Sequence, residues 1–308
     1  MTRHIQKIIQ WFDSYALNDK SLAEHPDRID LLRVMPFLVI HIGCLGVIWV
    51  GWSPFAVVFA LFLYVVRMFA ITGFYHRYFS HRAYQTNRFV QFLFAMAGAT
   101  ACQRGALWWA GHHRHHHRVT DTSDDPHSPI TQGFFNSHIL WFLRNKHFKT
   151  RHQFVKDWQK YPELVWLDRF DSFIPIVFAV AVFVFGHVTG TLFPATGTSG
   201  MQLFVWGFCI STVLLYNGTW TINSLSHMYG YRRYDTPDQS RNNPILAVIT
   251  LGEGWHNNHH RYAVSARQGF ASNEIDITWL ILRGMEKIGV IRNLRPVPES
   301  IYQEAVSS

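Results

Sequence analysis

The chain has 308 residues, of which 48% are hydrophobic and only 16% are charged, with a formal net charge of +8. Ordinary globular domains carry roughly 25% charged residues, so this composition excludes a disordered chain, a coiled coil and a collagen-like protein. The 19 histidines are far more than average composition predicts and need an explanation. The cysteines, Cys44, Cys102 and Cys209, lie far apart in apolar stretches and predict neither disulfides nor a cysteine-based metal site.

Four long apolar runs follow one another along the chain, and each is long enough for a helix to cross a hydrocarbon core of about 30 Å. They form two pairs, and the short connection inside each pair contains no Lys or Arg. We therefore predict an all-α integral membrane protein with four transmembrane helices in two hairpins. The runs are residues 34–52, 54–72, 173–193 and 201–222.

The basic residues are concentrated in three segments outside these runs, beginning with Arg3, Lys7 and Lys20 near the N-terminus. By the positive-inside rule these segments lie in the cytoplasm, and the two short connections face the opposite side. The net charge is therefore a topology signal, and we expect no nucleic-acid partner. The predicted division is a cytosolic segment 1–30, a hairpin 31–72, a cytosolic region 73–172, a hairpin 173–222 and a cytosolic region 223–308.

A fifth apolar run, residues 89–109, carries Gln91, Gln103 and Arg104. If it crossed the membrane, the histidine clusters on its two sides would lie on opposite faces. We therefore predict a helix that lies in the interface or is buried in the protein. Arg67 lies within about one turn of the cytosolic end of the second run, where we expect its side chain to reach the interface.

Three histidine clusters occur in the segments predicted to be cytosolic. The first has the spacing His-X4-His, and the other two share the spacing His-X2-His-His. On an α-helix, offsets of three and four residues place all the imidazoles of a triplet on one face. Two such triplets that face each other describe a metal site, and this number of imidazoles suits two metal ions better than one. The clusters are His76 and His81; His113, His116 and His117; and His256, His259 and His260.

Polar residues near the clusters extend this prediction. Asn223 and His227 lie four residues apart just past the fourth run, and we assign both to the same site; the alternative for Asn223 is that it caps or links helices. Three acidic residues follow the second cluster, and they are either carboxylates that orient ligating imidazoles or a solvated acidic turn. The acidic residues are Asp121, Asp124 and Asp125.

Chance and a surface tract that scavenges metal ions are two alternatives to a metal site. The repeated spacing on one predicted membrane face argues against both. Imidazole donors suit iron, copper or zinc, and the lack of a nearby thiolate disfavours structural zinc. A metal transporter needs ligating side chains within its spans, where only His41 and His187 lie, unpaired. His112 and His115 lie on other faces of their helix and stay outside the ligand set.

The order of these motifs resembles that of the membrane fatty acyl desaturases, specifically the stearoyl-CoA Δ9 type. Residues 109–127 look like that family's second histidine box with its acidic tail, and residues 219–235 look like the exit from its fourth span. Residues 252–260 look like its third box, and the similarity extends from about Arg28 to Gly269. In combination these motifs are highly specific.

The resemblance implies a cytosolic helical cap that holds a histidine-rich centre of two ferrous ions (Fe2+), with O2 as co-substrate. In this family an asparagine at the position of Asn223 holds a water on one of the irons. The implied metal-site residues are His76, His81, His113, His116, His117, Asn223, His227, His256, His259 and His260. The implied lining of a bent acyl tunnel is Gln103, Trp109, Thr219 and Trp220.

The implied reaction is the O2-dependent insertion of a cis double bond, at Δ9, into a saturated long-chain acyl thioester, with acyl-CoA as the expected carrier. Electrons come from an external donor such as ferredoxin, rubredoxin or cytochrome b5. Gly111 stands where an arginine that contacts CoA is expected, so an acyl-lipid desaturase is an alternative, as is a hydroxylase or ketolase of the same class. We expect a multi-pass protein of the bacterial cytoplasmic (inner) membrane with a cytosolic active site.

Overall fold

A computed structural model describes residues 9–16 and 24–305, which contain helices and isolated β-bridges but no strands. Within these residues the prediction of an all-α protein is confirmed, while Arg3, Lys7 and Lys20 lie outside them. The longer helices are α1 (Leu31–Val50), α2 (Pro54–Ser80), α3 (Arg88–Ala99), α4 (Ala106–Val119), α5 (Pro162–Arg169), α6 (Phe173–Leu192), α7 (Gly200–His227), α8 (Pro244–Ile249), α9 (His256–Arg261), α10 (Ile277–Lys287) and α11 (Glu299–Gln303). Short helical turns are Ser14–Ala16, Pro129–Gln132, Asn136–Leu140, Trp141–Leu143, Asn145–His147, His152–Phe154 and Pro194–Thr196.

Four of these helices, α1, α2, α6 and α7, are long and apolar enough to cross a membrane, as predicted. In α1 and α6 only 11% and 17% of the apolar window is buried, against 44% in α2 and 61% in α7. The helices α2 and α7 therefore form the centre of the bundle. The helices α1 and α6 flank them and present apolar outer faces to lipid.

Local capping explains where the first hairpin begins and turns. The side chain of Asp30 accepts a hydrogen bond of 3.1 Å from the backbone at the start of α1. At the start of α2, Ser53 accepts a hydrogen bond of 3.1 Å from the N–H of Ala56, and Pro54 occupies the first helical position. Between the helices Gly51 has a φ of +61°, which glycine adopts without a steric penalty. These residues keep the connection short.

The two central helices are longer than a membrane requires. α2 has 27 residues and α7 has 28, or roughly 40 Å each, against a hydrocarbon core of about 30 Å. α2 continues to Ser80 although its apolar run ends at residue 72, so His76 lies on the helix rather than after it. α7 likewise continues to His227. The additional turns extend toward one face of the bundle and carry functional side chains there.

The fifth apolar run does not form a spanning helix. It is divided into α3, which has 12 residues, and the start of α4. Between them Cys102 and Arg104 have φ values of +58° and +69°, which break the helix. Gln91 is buried and Phe89 is exposed. The run is therefore too short and too broken to cross a membrane, as predicted.

Arg67 does not reach the interface, and the expectation that it does is wrong. Its side chain is 1% exposed and lies inside the bundle, because α2 extends well beyond it. The guanidinium donates to the hydroxyl of Ser211, to that of Thr212 at 2.7 Å and to the carbonyl of Thr100 at 3.2 Å. These bonds compensate for the cost of burying a charged group and join α2 to α7.

Replacement of Arg67 by Ala is expected to destabilise the protein by about 3 kcal/mol, because it leaves buried hydroxyl and carbonyl groups without a donor. Lys287→Ala, at an exposed position on α10, is the control and is expected to change the free energy of unfolding by less than about 0.5 kcal/mol. Thermal unfolding in detergent micelles measures both effects. Equal melting temperatures for the two variants would contradict the structural role of Arg67.

Candidate metal centre

The first histidine pair is brought together by the end of α2. Residues Ala70–Ser80 form a π-helix, and the N–H of His81 donates to the carbonyl of His76 at 3.2 Å. On an α-helix, residues five apart point about 140° away from each other. In this π turn the two imidazole centroids are only 4.8 Å apart. The two histidines of the His-X4-His spacing are therefore brought together by a π turn, which an α-helix would not do.

The two histidine triplets lie on α4 and α9, which bring their imidazoles together. The Nε2 atoms of His117 and His259 are 3.0 Å apart, although the residues are distant in the sequence. On α4 itself, the Nε2 atoms of His113 and His117 are also 3.0 Å apart. The offsets of three and four residues thus place the rings on one side of each helix, as the spacing predicts.

His227 reaches the site by a different local structure from the expected one. The α-helical part of α7 ends at Asn223, and a 3-10 turn, Leu225–His227, follows it. This turn, rather than a continuous helical face, aims the imidazole at His256, with their Nε2 atoms 3.1 Å apart. Asn223 is the last residue of the α-helical part and lines a cavity that His113 also lines, and its role in the site remains a prediction.

The predicted histidines form two adjacent groups, and within each group one nitrogen per ring lies within 4.8 Å of the others. The ring centroids of His113 and His116, one from each group, are 6.2 Å apart. All nine histidines of the predicted site are in these groups, and their role as ligands remains a prediction. The first group is His76, His81, His113, His117 and His259, and the second is His116, His227, His256 and His260.

The positions of the nitrogens fit two metal ions. Facing Nε2 atoms in the groups are 2.8 to 3.1 Å apart. Two ligands at right angles, each about 2.1 Å from a metal, lie roughly 3.0 Å apart. Hydrogen bonds alone do not account for the convergence, because a neutral imidazole carries one N–H, whereas the Nε2 of His81 faces the Nε2 atoms of both His76 and His113. Among the described residues, Nδ1 of His256 and Nε2 of His260 are buried without a hydrogen-bond partner.

Burial keeps several of these imidazoles in the neutral form that binds metal ions. Burial, followed by repulsion from neighbouring imidazoles, lowers the pKa of His113, His117 and His259 well below the ordinary value. Burial also lowers the pKa of His260 to about 4, against the attraction of the Asp238 carboxylate. The nitrogen lone pairs of these four imidazoles are therefore available for coordination at neutral pH. At His116 burial acts in the same direction, but the attraction of the Asp125 carboxylate outweighs it and raises the pKa.

Four imidazoles are held from behind by carboxylates, each through Nδ1. A carboxylate in this position selects the tautomer and orients the ring, so that Nε2 points toward the metal. All four carboxylate side chains are at most 7% exposed. The pairs are His76 with Glu253, His116 with Asp125 (3.0 Å), His227 with Asp121 (2.9 Å) and His260 with Asp238 (2.9 Å).

These contacts decide between the two alternatives for the acidic tail of the second cluster. Asp121 and Asp125 contact imidazoles of the second group, whereas Asp124 is exposed. Glu253 and Asp238 were not predicted. Glu253 is close in sequence to the third cluster, which is a signal that could have identified it. The sequence around Asp238 contains no comparable signal.

Glu253 belongs to a buried ionic network beneath the first group. Arg77 donates to Glu253 at 3.1 Å and to Asp276 at 2.9 Å, and all three side chains are buried. Burial alone would raise the pKa of Glu253, but attraction by His76 and Arg77 holds it below the ordinary value. Gln268 donates a further hydrogen bond of 3.0 Å to this carboxylate. Glu253 is therefore charged and keeps His76 in place.

The histidines outside the predicted set have other partners. His112 bonds through Nε2 to the carbonyl of Lys149 at 3.1 Å and is in neither group. His127, which sequence reasoning did not single out, forms a third cluster with His116 and Asp125. Burial, followed by repulsion from His116, lowers the pKa of His127 to about 3. His127 is thus a neutral neighbour of the second group.

A cavity of about 730 Å³ extends from the metal centre into the helix bundle. Gln103 donates to the hydroxyl of Thr219 at 2.9 Å and accepts a hydrogen bond from the indole of Trp109 at 3.4 Å. Trp109 also stacks on His113, with centroids 5.0 Å apart. Gln103, Trp109 and Thr219 therefore form a hydrogen-bonded wall of the cavity beside the first group. All four predicted tunnel residues line the cavity, namely Gln103, Trp109, Thr219 and Trp220.

Comparison with known proteins adds to this geometry. A family model described as fatty acid desaturase matches residues 51–282. The chain is 33% identical to an acyl-CoA 5-desaturase of Anemone leveillei over 96% of this chain and 91% of that protein. It is 35% identical to an sn-1 stearoyl-lipid 9-desaturase of Anabaena variabilis, over 87% and 94% respectively. It is 34% identical to a Delta-9 acyl-lipid desaturase of Arabidopsis thaliana, over 89% and 86%.

Replacement of Asp125 by Asn is expected to weaken metal binding by about ten- to a hundredfold, because the amide no longer selects the tautomer of His116. Asp124→Asn is the matched control, since Asp124 is adjacent in sequence but exposed. The metal retained per purified chain at rising chelator concentration, measured by mass spectrometry, reports both. Equal retention in the two variants would show that Asp125 does not support a metal ligand.

Proposed function

Because this chain belongs to the fatty acid desaturase family, we propose that it removes two hydrogens from adjacent carbons of a saturated long-chain acyl group. The product is a cis double bond at Δ9. The observation that carries the proposal is the pair of histidine groups at the end of a long, largely apolar cavity. Two ferrous ions bound by these imidazoles, with O2 as co-substrate, supply the oxidising power that an unactivated C–H bond requires.

The protein itself positions the groups that react. The nine histidines would hold the irons, Asn223 would hold a water beside one of them, and the buried carboxylates keep the imidazoles aligned. The largely apolar cavity would hold the acyl chain beside the first group, next to Trp109 and Thr219. The depth to which the chain enters would set the double-bond position, since placement determines which carbons lie near the metal centre. Two electrons from an external donor such as ferredoxin, rubredoxin or cytochrome b5, with two protons and the two hydrogens of the acyl chain, would reduce O2 to two molecules of water.

The acyl carrier has two candidates. An acyl-CoA thioester is the carrier that the motif resemblance implies. Gly111 is packed on the chain at Arg151, where an added Cβ would lie 3.2 Å from a backbone oxygen. No side chain extends from this position toward a CoA head group, which favours a lipid carrier. The named relatives include desaturases of both kinds.

The orientation in the membrane follows from the charge distribution. We place the metal centre and segments 1–30, 73–172 and 223–308 on the cytosolic side, with hairpins 31–72 and 173–222 in the membrane. The basic residues outside the spans support this orientation by the positive-inside rule. The proposed location is the cytoplasmic (inner) membrane of a bacterium.

Expression in a host that lacks its own Δ9 desaturase is expected to yield acyl chains that are lighter by two hydrogens, with the double bond located at Δ9 by mass spectrometry. A gain of oxygen would instead identify a hydroxylase or ketolase. His116→Ala and His259→Ala are expected to abolish the product, because each removes a proposed ligand. His187→Ala, at an exposed position on α6, is the control and is expected to retain activity. Normal product from the two ligand variants would refute the proposal.

Thr219→Val is expected to lower the desaturation rate about fivefold and to increase the fraction of misplaced double bonds. The change removes the acceptor of the hydrogen bond from Gln103, which is worth about 1 kcal/mol, and loosens the wall beside Trp109. Product isomers are separated and quantified by mass spectrometry. Thr221→Val, on the same helix but outside the cavity lining, should leave the product pattern unchanged. Equal patterns in both variants would contradict the role of this wall.

A further inference from the structure

The cavity has an arm that opens sideways between α1 and α6. Val39 and Ile40 of α1 line one side of this groove, and Ala179, Val180 and Phe183 of α6 line the other. Val39 and Val180 are each 57% exposed on the outer surfaces of spanning helices. Because the same side chains belong to the cavity wall and to the lipid-facing surface, the groove between α1 and α6 is open toward the bilayer.

The groove exists because α1 and α6 both pack against α7. A Cβ added to Gly43 of α1 would lie 2.7 Å from the sulfur of Cys209 on α7. A Cβ added to Gly186 of α6 would lie 2.8 Å from the Cβ of Leu203 on the same helix α7. These close approaches pack both flanking helices against α7 and leave the apolar groove between them.

Arg33, in the first turn of α1, lies at the polar entrance of this cavity. Its side chain is 10% exposed, and its Nη1 has no hydrogen-bond partner among residues 9–16 and 24–305. Within the described residues its carboxylate partner is Asp30, in an ion pair of 3.9 Å to Nε, and the guanidinium lies 5.3 Å from the ring centroid of Phe148. A largely buried guanidinium whose one ion pair is long and whose Nη1 is unbonded is costly, so the geometry indicates a ligand that supplies a second anionic oxygen.

The other arginine at the entrance is already paired. Arg104 forms an ion pair with Asp171 and donates to the carbonyl of Phe148 at 3.1 Å. The entrance therefore combines one satisfied guanidinium with one open guanidinium, that of Arg33. An anionic oxygen would complete the hydrogen bonds of Arg33, and phosphate suits the planar donors of a guanidinium.

From these observations, and resting on the desaturase function proposed above, we propose that the groove receives an acyl chain of a membrane phospholipid whose phosphate binds Arg33. A phospholipid places its phosphate at the interface and its chains in the hydrocarbon. Arg33 and the apolar groove follow one another in this same order along α1. The chain could reach the first histidine group without leaving the cavity, because Trp109 and Thr219 line it too.

The opening toward lipid favours this carrier over a water-soluble thioester. A CoA ester enters from the aqueous side and needs no gap between spanning helices. On α6 the lining extends from Pro175 to Phe183, which is roughly 12 Å of helix and well into a hydrocarbon core of about 30 Å. An acyl chain that remains attached to a bilayer lipid can follow this groove from the side.

The two candidate acyl carriers, lipid and CoA, are distinguished with the purified full chain in vesicles. Electron-transfer proteins are supplied from the host in which the chain is active. One arm contains phosphatidylglycerol with a deuterated stearoyl chain, and the other supplies deuterated stearoyl-CoA. We expect the lipid-bound chain to be desaturated at least tenfold faster, as measured by mass spectrometry. Desaturation in the CoA arm alone would overturn the lipid proposal and leave the desaturase function intact. Product in neither arm would contradict the desaturase function itself.

Two matched pairs of variants test the groove and the arginine. Val180→Trp fills the groove and is expected to lower lipid desaturation at least tenfold. Val184→Trp, one turn along α6 at an exposed position outside the cavity, should have no effect. Arg33→Gln is expected to raise the KM for phosphatidylglycerol about tenfold, and Arg33→Lys should retain most of the affinity. Arg144→Gln, which removes a partner of Asp27 outside the cavity, is the control.

A lipid without phosphate distinguishes recognition from a structural role of Arg33. Arg33→Gln should leave the conversion of a monogalactosyl diacylglycerol unchanged. Equal losses with the two lipids would assign Arg33 a purely structural role and overturn this part of the proposal.

A binding test that does not depend on the reaction uses metal-free protein in vesicles. Phosphatidylglycerol with a diazirine in its acyl chain is photolysed, and labelled residues are identified by mass spectrometry. We expect a label at Ile40, which lines the cavity but is only 8% exposed, and a loss of that label in Val180→Trp but not in Val184→Trp. Labelling restricted to Val177 and Val184, which are exposed outside the groove, would overturn the proposal.

Discussion

The convergence of imidazole nitrogens from four separate elements is the constraint on which the rest of the structure depends. The π end of α2, the helix α4, the turn at the end of α7 and the helix α9 each contribute to it. Facing lone pairs repel one another, so the surrounding protein must hold the rings in place. Arg77, 1% exposed, bonds to Glu253 and to Asp276, the residue that caps α10. The helical region that holds the histidines is thus built on a buried ionic network beneath the first histidine group.

The membrane determines how this centre meets its cavity. α2 and α7 exceed the thickness of the hydrocarbon core, so their ends can carry His76 and His227 beyond it while their middles remain at the centre of the bundle. Arg67 joins the same two helices within the bundle through Thr212. Thr219, on α7, lies on the cavity wall between these levels. One helix pair therefore supports the candidate metal centre, closes the bundle and lines the cavity that leads to this centre.

Local spacing made much of the architecture predictable. Whether a segment can span the membrane depends on the length and polarity of its apolar run. The four spans, and the failure of residues 89–109 to span, could therefore be predicted from the sequence. Helical geometry alone places residues three and four apart on one side of a helix, so the positions of His113, His116 and His117 on α4 could be predicted as well. The tunnel residues came from the family resemblance rather than from spacing. The acidic tail is ambiguous in the sequence, because no local pattern separates the buried Asp125 from the exposed Asp124.

The sequence by itself determined the helical class, the spans and the faces on which the histidines lie, because these depend on neighbours along the chain. The tertiary structure alone decided which distant groups meet. It paired His260 with Asp238 through a loop, and it buried Arg67 because α2 continues through the cap where hydropathy no longer supports a helix. Among the described residues it also left Nη1 of Arg33 without a hydrogen-bond partner at the entrance of a groove. Such contacts depend on how whole elements are placed relative to one another, which no local periodicity encodes.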